Sequence, residues 1–415
     1  MNCNHGNQIC VVGGGIIGLC TAARLAEEGR SVTLIDKGKD AIGPASIGNA
    51  GQIIPGLIEP LASPDLFSNL IYVLFNKNSP LILRADYFFK ALPWLAKFAL
   101  AMRASKYKSS VAALTSINQS AFEDTIKFFI RAGIENELKC TGLLIVFDSQ
   151  QSLQRGLRRW ESVPKPLRGE LHLMTNQKLL DREPRLGDSV FGGIFIEKAG
   201  SIKDIDFVLK SIREYCQLLG VQYIAGSVNE ISENSRGWDC YLSDGSCLAS
   251  EKVVVTAGIW SKEILRNQGF SANLEAERGY NLTVKTDGPV LHLPVVFADH
   301  GVVATQFSSK LRIGGLDEIA GINRRADPKI FKRLMRMADK LIPGVCWQNS
   351  HQWMGFRPSR PDSLPVITQI KNRKGLFCAS GHGHLGMTQA VTTSNLMVDL
   401  IEGRDSLIDM RPFSL

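Results

Sequence analysis

Residues 8–36 read QICVVGGGIIGLCTAARLAEEGRSVTLID, and this stretch decides the fold. Residues 8–13 form an apolar, β-branched run that predicts a short buried strand, and glycines then break it. Residues 16–28 predict a helix, which Gly29 ends because glycine readily adopts a positive φ. Residues 31–35 predict a second strand, and an aspartate follows it. The spacing is that of a βαβ unit of about thirty residues.

The glycines of this unit match the G-x-G-x-x-G pattern of a dinucleotide-binding turn. Gly13 permits the tight turn, Gly15 lets a pyrophosphate approach the backbone, and Gly18 lets helix and strand pack closely. The free N–H groups and the positive dipole of the helix N-terminus suit the phosphates. Asp36 stands 18 residues after Gly18, where its carboxylate can accept hydrogen bonds from the adenosine ribose. We therefore predict a nucleotide site here.

The rest of the chain favours FAD over NAD as the nucleotide. An NAD enzyme would normally continue with alternating strands and helices of one parallel sheet. This chain instead enters a helical region over residues 61–133 and returns to nucleotide-type strands only near residue 221. Within that region Pro93 interrupts the apolar stretch 87–102, so we expect no straight membrane span there.

The remaining pattern predicts a mixed α/β fold of two interleaved domains. We expect helices at 204–219, 260–268, 328–341 and 387–402, and strands at 142–147, 221–225 and 252–256. Residues 237–249 predict a hairpin that turns at Asp244-Gly245, and residues 273–316 are rich in strands. A Rossmann-like FAD-binding domain is expected to comprise 1–60, 198–270 and 346–415. A β-sheet substrate domain that carries helices is expected to comprise 61–197 and 271–345.

Composition excludes several classes of protein but does not choose a ligand. The 415 residues are 44% hydrophobic and 21% charged, which excludes a collagen, a disordered tail, a coiled coil and a disulfide-rich miniprotein. Lys and Arg total 48 against 40 for Asp and Glu, a net charge of +8. This excess suits an anionic ligand, an anionic membrane surface or nucleic acid. The basic stretches 151–168 and 328–341 are interpreted as solvated faces, with docking to a membrane or an acidic electron acceptor as the alternative.

The cysteines and the N-terminus favour a reducing compartment. The nine cysteines include no C-x-x-C pair and no cluster with histidine, which argues against a disulfide framework and against any metal site. The first six residues lack the basic region of a signal peptide. We expect a cytoplasmic protein, with a position at the inner face of the membrane as the alternative.

Six motifs in order along the chain resemble the D-amino-acid oxidase and dehydrogenase superfamily of flavoproteins. The likeness is greatest to the small-subunit type of D-amino acid dehydrogenase, and glycine and sarcosine oxidases are more distant relatives. The motifs begin with the glycine turn. The others are Ser46-x-x-Asn49-Ala50-Gly51-Gln52-x-x-Pro55-Gly56, Thr256-Ala257-Gly258-Ile259-Trp260-Ser261, Glu277-Arg278-Gly279-Tyr280, Gly355-Phe356-Arg357-Pro358-x-x-Pro361-Asp362-x-x-Pro365-Val366 and Gly381-His382-Gly383-His384-Leu385-Gly386.

The resemblance implies a non-covalent FAD and the oxidation of an amine carbon beside a carboxylate. It places the carboxylate-binding arginine at Arg357, whose planar guanidinium can grip a carboxylate bidentately. His382 and His384 flank the glycines before the last helix and are candidates for contact with substrate or flavin. Arg360 is interpreted as facing solvent, and Arg278 as supporting the flavin or the sheet.

The full set of predicted cofactor-binding residues joins the glycine turn to the other motifs. It consists of Gly13, Gly15, Ile16, Gly18, Asp36, Lys37, Ser46, Asn49, Ala50, Gly51, Gln52, Val228, Ala257, Gly258, Trp260, Gly381, Gly383, Leu385, Gly386, Met387 and Thr388. If the flavin ring rests before the last helix, the helix dipole stabilises the negative charge that builds on reduction.

The predicted activity is that of an FAD-dependent oxidoreductase acting on a small D-amino acid. A hydride leaves Cα for flavin N5, and the imine is hydrolysed to a keto acid and ammonia. One alternative is a D-proline or D-hydroxyproline dehydrogenase, which would release a cyclic imine, and another is a glycine- or sarcosine-type oxidase. A non-enzymatic alternative is a flavin-binding subunit of a larger complex. The expected partners are the amino acid, a quinone or protein electron acceptor and a peripheral membrane contact, but not nucleic acid, because no RNA-binding module is present in the sequence.

Overall fold

A computed structural model describes residues 8–38, 43–66, 79 and 81–415. The strands from the first two thirds of the chain are β1 (Gln8–Val12), β2 (Ser31–Asp36), β3 (Gln52–Ile53), β4 (Leu81–Leu83), β5 (Leu138–Lys139), β6 (Leu143–Phe147), β7 (Leu171–Thr175), β8 (Gly192–Ile196), β9 (Gly200–Ile202), β10 (Gln222–Ala225), β11 (Val228–Asn234), β12 (Gly237–Leu242), β13 (Cys247–Ser250) and β14 (Lys252–Val255). The later strands are β15 (Glu275–Lys285), β16 (Val295–Phe297), β17 (Val302–Gln306), β18 (Lys310–Ile319), β19 (His351–Ser359), β20 (Val366–Gln369) and β21 (Leu376–Ser380).

Helices separate these strands in two groups. The first group is α1 (Ile16–Glu27), α2 (Phe88–Ala101), α3 (Ala104–Asn118), α4 (Ala121–Arg131), α5 (Gln150–Ser162), α6 (Lys165–Arg168) and α7 (Asn176–Arg182). The second group is α8 (Ile205–Leu218), α9 (Ser261–Asn267), α10 (Pro328–Leu341) and α11 (Gly386–Glu402). The predicted mixed α/β fold is thereby confirmed.

One sheet is assembled from three distant parts of the chain. Its order is β10-β2-β1-β14-β21-β20, parallel except for β20, which pairs antiparallel with β21. Alternate residues of its strands pack on opposite faces, as period-two side chains require. Val11 and Leu34 pack with α1, α8 and α11, whereas Cys10 and Val253 pack under the small sheet β11-β12-β13. The carboxyl ends of its strands therefore open between two covered faces.

A second, larger sheet provides the other wall of the molecule. Its order is β19-β15-β18-β17-β16-β6-β8-β7, with β4 also paired to β18. In the register of the first three strands, Arg357 lies opposite Glu277, and Gly279 lies opposite both Asp317 and Gly355. A short sheet of β3, β9 and β5 links the two larger sheets. The domain boundaries themselves stay a prediction, and β19, assigned above to the FAD-binding segments, pairs with the larger sheet.

Most predicted elements lie within two residues of their expected bounds. The helix predicted at 328–341 is α10 itself, and the hairpin predicted at 237–249 is formed by β12 and β13. The wholly helical prediction for 61–133 is wrong at β4, because those three residues pair with the end of β18. The part of that prediction that falls on residues 67–78 lies outside the described residues.

Pro93 does not end the helix that contains it. α2 continues through Pro93 to Ala101, although proline removes one helical hydrogen bond. The proline is the sixth residue of the helix and is exposed, so the lost bond lies close to the helix N-terminus and faces solvent. Within residues 8–38, 43–66 and 81–415, none of the helices combines the length and the apolar character needed to cross a membrane.

Candidate active site

A cavity of about 760 Å³ opens where the two larger sheets meet. On one side it is lined by residues that follow the carboxyl ends of β1, β2, β14 and β21, which is where open parallel sheets bind ligands. On the other side it is lined by Glu277, Asp317 and Arg357, which project from β15, β18 and β19. The cavity therefore joins a nucleotide-type crevice to a charged pocket.

The glycine turn has the geometry that the sequence predicted. Gly13 has φ of 108°, and a Cβ there would come within 2.7 Å of the Ala257 backbone. A Cβ at Gly18 would lie 1.8 Å from the carbonyl oxygen of Gly13, so this glycine serves the packing of α1 on β1. Gly15 faces the cavity, and a Cβ there would meet only Ser46 Oγ, at 3.2 Å. The turn thus presents bare backbone to the cavity.

Asp36 stands at the carboxyl end of β2, at the cavity wall. Its Oδ2 accepts a hydrogen bond of 2.7 Å from Gly14 N, and its Oδ1 accepts one of 2.8 Å from Gly38 N. These bonds fix the carboxylate and leave each oxygen a further lone pair for a ribose hydroxyl. Lys37 lies over the ring of Trp260, with its Nζ 5.6 Å from the centroid. Both of these residues also line the cavity.

The loop of residues 46–51 is held against the cavity by two side chains of the larger sheet. Asn281 Nδ2 donates to the carbonyl oxygen of Gly48 at 2.9 Å. Arg312 Nη1 donates to the carbonyl oxygens of Ile47 and Asn49 at 2.9 and 2.6 Å. Burial lowers the pKa of Arg312 to about 10, so its guanidinium stays charged at neutral pH. The loop is therefore anchored by a cation and an amide that our sequence analysis did not identify.

The glycine- and histidine-rich segment forms a tight turn before α11. No side chain caps the first residues of α11, so their N–H groups remain available at the cavity. His382 is buried, and its Nε2 lies 2.9 Å from Thr393 Oγ1 on α11. His384 is half-buried and lines the cavity. Burial lowers the pKa of His382 to about 3 and that of His384 to about 4, so both rings are neutral at pH 7.

Arg357 reaches into the cavity and is held from one side. Its Nη1 donates to Glu277 Oε1 at 3.1 Å and to Asp317 Oδ1. Burial opposes the charge of Arg357, but the two carboxylates more than offset this and raise the pKa of the guanidinium. Within the described part of the chain, Nη2 and Nε donate to no protein acceptor. That edge of the fork is free to bind an anion bidentately.

The cavity brings together most of the residues that the sequence predicted. Arg357, His382 and His384 all line it, as do eighteen of the cofactor-binding residues: Gly13, Gly15, Ile16, Asp36, Lys37, Ser46, Asn49, Ala50, Gln52, Val228, Ala257, Gly258, Trp260, Gly383, Leu385, Gly386, Met387 and Thr388. Gly18, Gly51 and Gly381 lie behind the wall. A Cβ at Gly51 would strike Phe307, and one at Gly381 would crowd Leu274 and Arg360, so these glycines permit close packing.

Two other arginines take structural positions. Arg278 is fully buried, with Nη1 3.3 Å from Glu318 Oε2, and it supports the sheet away from the cavity. The interpretation of Arg360 as facing solvent is wrong, since its side chain is only 10% exposed. It packs beneath Gly381, which follows β21, and pairs with Asp362 at 3.3 Å.

Sequence reasoning missed four side chains that line the cavity: Asn281, Arg312, Asp317 and Trp353. Asn281 and Arg312 interrupt apolar strands, and that interruption was an available signal. Asp317 and Glu318 stand together near the end of β18, but only the fold shows that Asp317 faces the cavity while Glu318 is fully buried. Trp353 fills the space between Gly48 and Gly355, where a Cβ at either position would come within 2.0 Å of its ring.

Residues 8–400 match the family model described as FAD dependent oxidoreductase, so the chain belongs to this family. The predicted resemblance and the predicted FAD are thereby confirmed. The chain is 27% identical over 416 residues to a D-amino-acid oxidase of Bradyrhizobium diazoefficiens, covering 99% of this chain and 98% of the relative. It is 28% identical over 425 residues to a D-amino acid dehydrogenase of Rhizobium rhizogenes, covering 98% and 99%.

Solved structures agree on the fold. The structure of an iminodiacetate oxidase from a Chelativorans species superposes with a TM-score of 0.75 at 18% identity, covering 98% of each chain. At that identity the likeness concerns the fold alone.

The residues at the cavity fit FAD. The uncapped start of α11 and the bare backbone at Gly15 face the same space, and a Cβ at Gly258 would meet no atom within 4 Å. Gly15 and Ile16 would hold the pyrophosphate, and Asp36 the ribose. Residues 46–52 and 383–388 would hold the flavin ring, with the dipole of α11 favouring negative charge on it.

Proposed function

We propose that this protein oxidises a small D-amino acid at Cα, with Arg357 as the clamp for the substrate carboxylate. The observation that carries the proposal is the free Nη2 and Nε edge of a guanidinium that lies in the cavity. The names of the two relatives, each matched along nearly the whole chain, support an amino-acid substrate. The product is an imine that water hydrolyses to a keto acid and ammonia.

The residues of the chain act by binding and orienting the substrate. FAD, when bound, supplies a two-electron acceptor that takes the hydride at N5. Arg357 fixes the carboxylate and thereby directs the Cα–H bond, and such positioning is a large part of catalysis for a hydride transfer. His384 is neutral and lines the same cavity, so it adds a polar contact without a competing charge. His382 is a positioning residue that fixes the turn through Thr393.

The proposal extends to the surroundings of the reaction. The predicted FAD-binding and substrate domains, a quinone or protein electron acceptor, and a cytoplasmic position at the inner face of the membrane belong to it. The basic helix faces support contact with an anionic surface or acceptor, because Lys329, Arg336 and Lys340 of α10 are exposed while Ile330 and Leu334 are buried.

Anaerobic bleaching of the bound FAD tests the proposal. Holoenzyme is mixed with D- and L-amino acids, with D-proline, glycine and sarcosine, and with the amides and decarboxylated amines that match the best substrates. We expect D-amino acids with a free carboxylate to reduce the flavin, and their amides not to. Equal rates on an acid and its amide would exclude the clamp. Reduction by glycine, sarcosine or D-proline alone would favour those alternatives, and no reduction by any compound would favour a flavin-binding subunit.

A further inference from the structure

The charged part of the cavity holds more negative than positive charge. Arg357 carries one positive charge, and Glu277 and Asp317 carry one negative charge each beside it. His384, which also faces Asp317, is neutral at pH 7 because burial lowers its pKa to about 4. One carboxylate suffices to balance the guanidinium, so the second needs another explanation.

The two carboxylates differ in what they have left to bind. Glu277 Oε1 accepts from Arg357, its Oε2 accepts from Ser359 Oγ at 2.7 Å, and its side chain is 6% exposed. Glu277 is thus fully used within the protein. Asp317 uses only Oδ1, toward Arg357, and 32% of its side chain is open to the cavity. Among the described residues, no protein donor contacts its Oδ2.

The free atoms of Arg357 and Asp317 match the two charges of an amino acid. The guanidinium edge binds the carboxylate, and the open carboxylate oxygen stands beside that edge. In an α-amino acid the ammonium group is likewise adjacent to the carboxylate. The ion pair between the two side chains therefore presents one free donor edge and one free acceptor to the same zwitterion.

We propose that Asp317 binds the α-ammonium group of the substrate and accepts one proton from it before Cα is oxidised. This rests on the proposed function. The N–H bond breaks, its proton goes to Asp317 Oδ2, and its electron pair stays on nitrogen. That pair then forms the C=N bond as the hydride leaves Cα for FAD, and Asp317 later releases the proton to water. The charge and the atoms balance without a further reactant.

The surroundings of Asp317 suit it to this role. Gly279 of β15 and Leu81 of β4 flank it in the sheet, and Arg357, Glu277 and His384 are the titratable groups that face it. Burial raises the pKa of Asp317 to about 6, and the charge of Glu277 adds to this effect while Arg357 and His384 oppose it. Asp317 is thus ionised at neutral pH yet more basic than an ordinary aspartate, as an efficient proton acceptor should be.

Stopped-flow reduction of the bound FAD under anaerobic conditions tests the proposal. The limiting rate constant and the substrate Kd are measured with the best D-amino acid of the panel, from about pH 6.5 to about pH 10, for wild-type and Asp317→Asn holoenzyme. We expect Asp317→Asn to reduce the flavin on the order of 100-fold more slowly at pH 7. The deficit should shrink as pH rises toward the pKa of the free substrate ammonium, where solution supplies the neutral amine.

Controls separate this role from a structural one. Asp339→Asn makes the same change of charge on the exposed side of α10 and should leave the pH profile unchanged. Glu277→Gln should not show recovery at high pH, because both oxygens of Glu277 bind the protein. If Asp317→Asn does not fold, Asp317→Ser, which is smaller and uncharged, replaces it.

The outcomes distinguish this inference from the proposed function. A profile for Asp317→Asn that runs parallel to the wild-type profile at every pH, with D-amino acids still reducing the flavin, overturns the inference and leaves the function standing. Failure of all D-amino acids to reduce wild-type FAD overturns the function itself. Recovery of Asp317→Asn at high pH supports both.

Discussion

The guanidinium of Arg357 lies over Gly279, so closely that a Cβ at 279 would come within 2.5 Å of Cζ and Nη2. The two residues lie on adjacent antiparallel strands, and the missing side chain is what lets the arginine reach past β15 toward Asp317 on β18. The carboxylate clamp therefore depends on a glycine that makes no polar contact with a substrate.

We expect Gly279→Ala to weaken substrate binding while FAD is retained. The added methyl group would displace the guanidinium from its two carboxylates, with a loss of roughly 10- to 100-fold in substrate affinity, since an arginine–carboxylate contact is charge-assisted. Titration of the oxidised holoenzyme with a carboxylate inhibitor measures this. Gly288→Ala is the control, because a Cβ at that exposed position meets no atom within 4 Å. Unchanged inhibitor affinity in Gly279→Ala would contradict the placement of the clamp.

Arg357→Lys should lower kcat/KM by about 30- to 1000-fold, because lysine keeps the charge but loses the bidentate fork. The thermal midpoint and the rate of flavin reduction are measured on the same preparation, with Arg336→Lys on the exposed face of α10 as the control. A variant of Arg357 that is destabilised but kinetically normal per flavin would mean that this arginine only braces the sheet.

Gly15→Val should abolish FAD binding, because the new side chain would project from a turn that borders both the cavity and Ser46 Oγ. The ratio of flavin absorbance to protein absorbance after purification measures the loss. Gly288→Val, at the exposed turn, should remain fully yellow. Recovery of a fully loaded Gly15→Val protein would argue against this turn as the pyrophosphate site.

The buried histidine before α11 should make the fold sensitive to acid. Because burial lowers the pKa of His382 to about 3, the unfolded chain binds one more proton than the folded chain between about pH 6.5 and that value. Stability should therefore fall as pH drops below about 6.5, by up to about 1.4 kcal/mol per pH unit for this group.

Thermal midpoints measured at several pH values check this sign. His382→Gln can keep a hydrogen bond to Thr393 but does not titrate, so its midpoint should decline less steeply in acid than that of the wild type. The exposed His351 is the control, and His351→Gln should follow the wild-type slope. A wild-type slope in His382→Gln would contradict the buried, neutral state of this ring.

The sequence predicted those parts of the fold that local patterns encode. The glycine turn and Asp36 carry their spacing within one βαβ unit, and α10 shows a regular apolar stripe, so their positions were readable without the structure. β4 was not, because only three residues pair and their partner lies more than 230 positions later in the chain.

The candidate site divides in the same way. Arg357 belongs to a motif that marked it for the substrate. Asp317 has no local signature, and its role follows from the register that sets it beside Gly279 and within reach of that arginine. The burial of Arg360 also depends on distant residues, namely Leu274 and Gly381.

The order of strands in the parallel sheet has a consequence for biosynthesis. β21 is the hydrogen-bonded neighbour of β14, yet residues 376–380 leave the ribosome more than 100 residues after β14, and α11, which packs on α1, follows still later. Until then the nascent chain carries an unpaired strand edge at β14, the kind of edge that recruits foreign strands. Cofactor capture must therefore follow translation of almost the whole polypeptide, and chains that terminate early should be substrates for chaperones and proteases rather than partial flavoproteins.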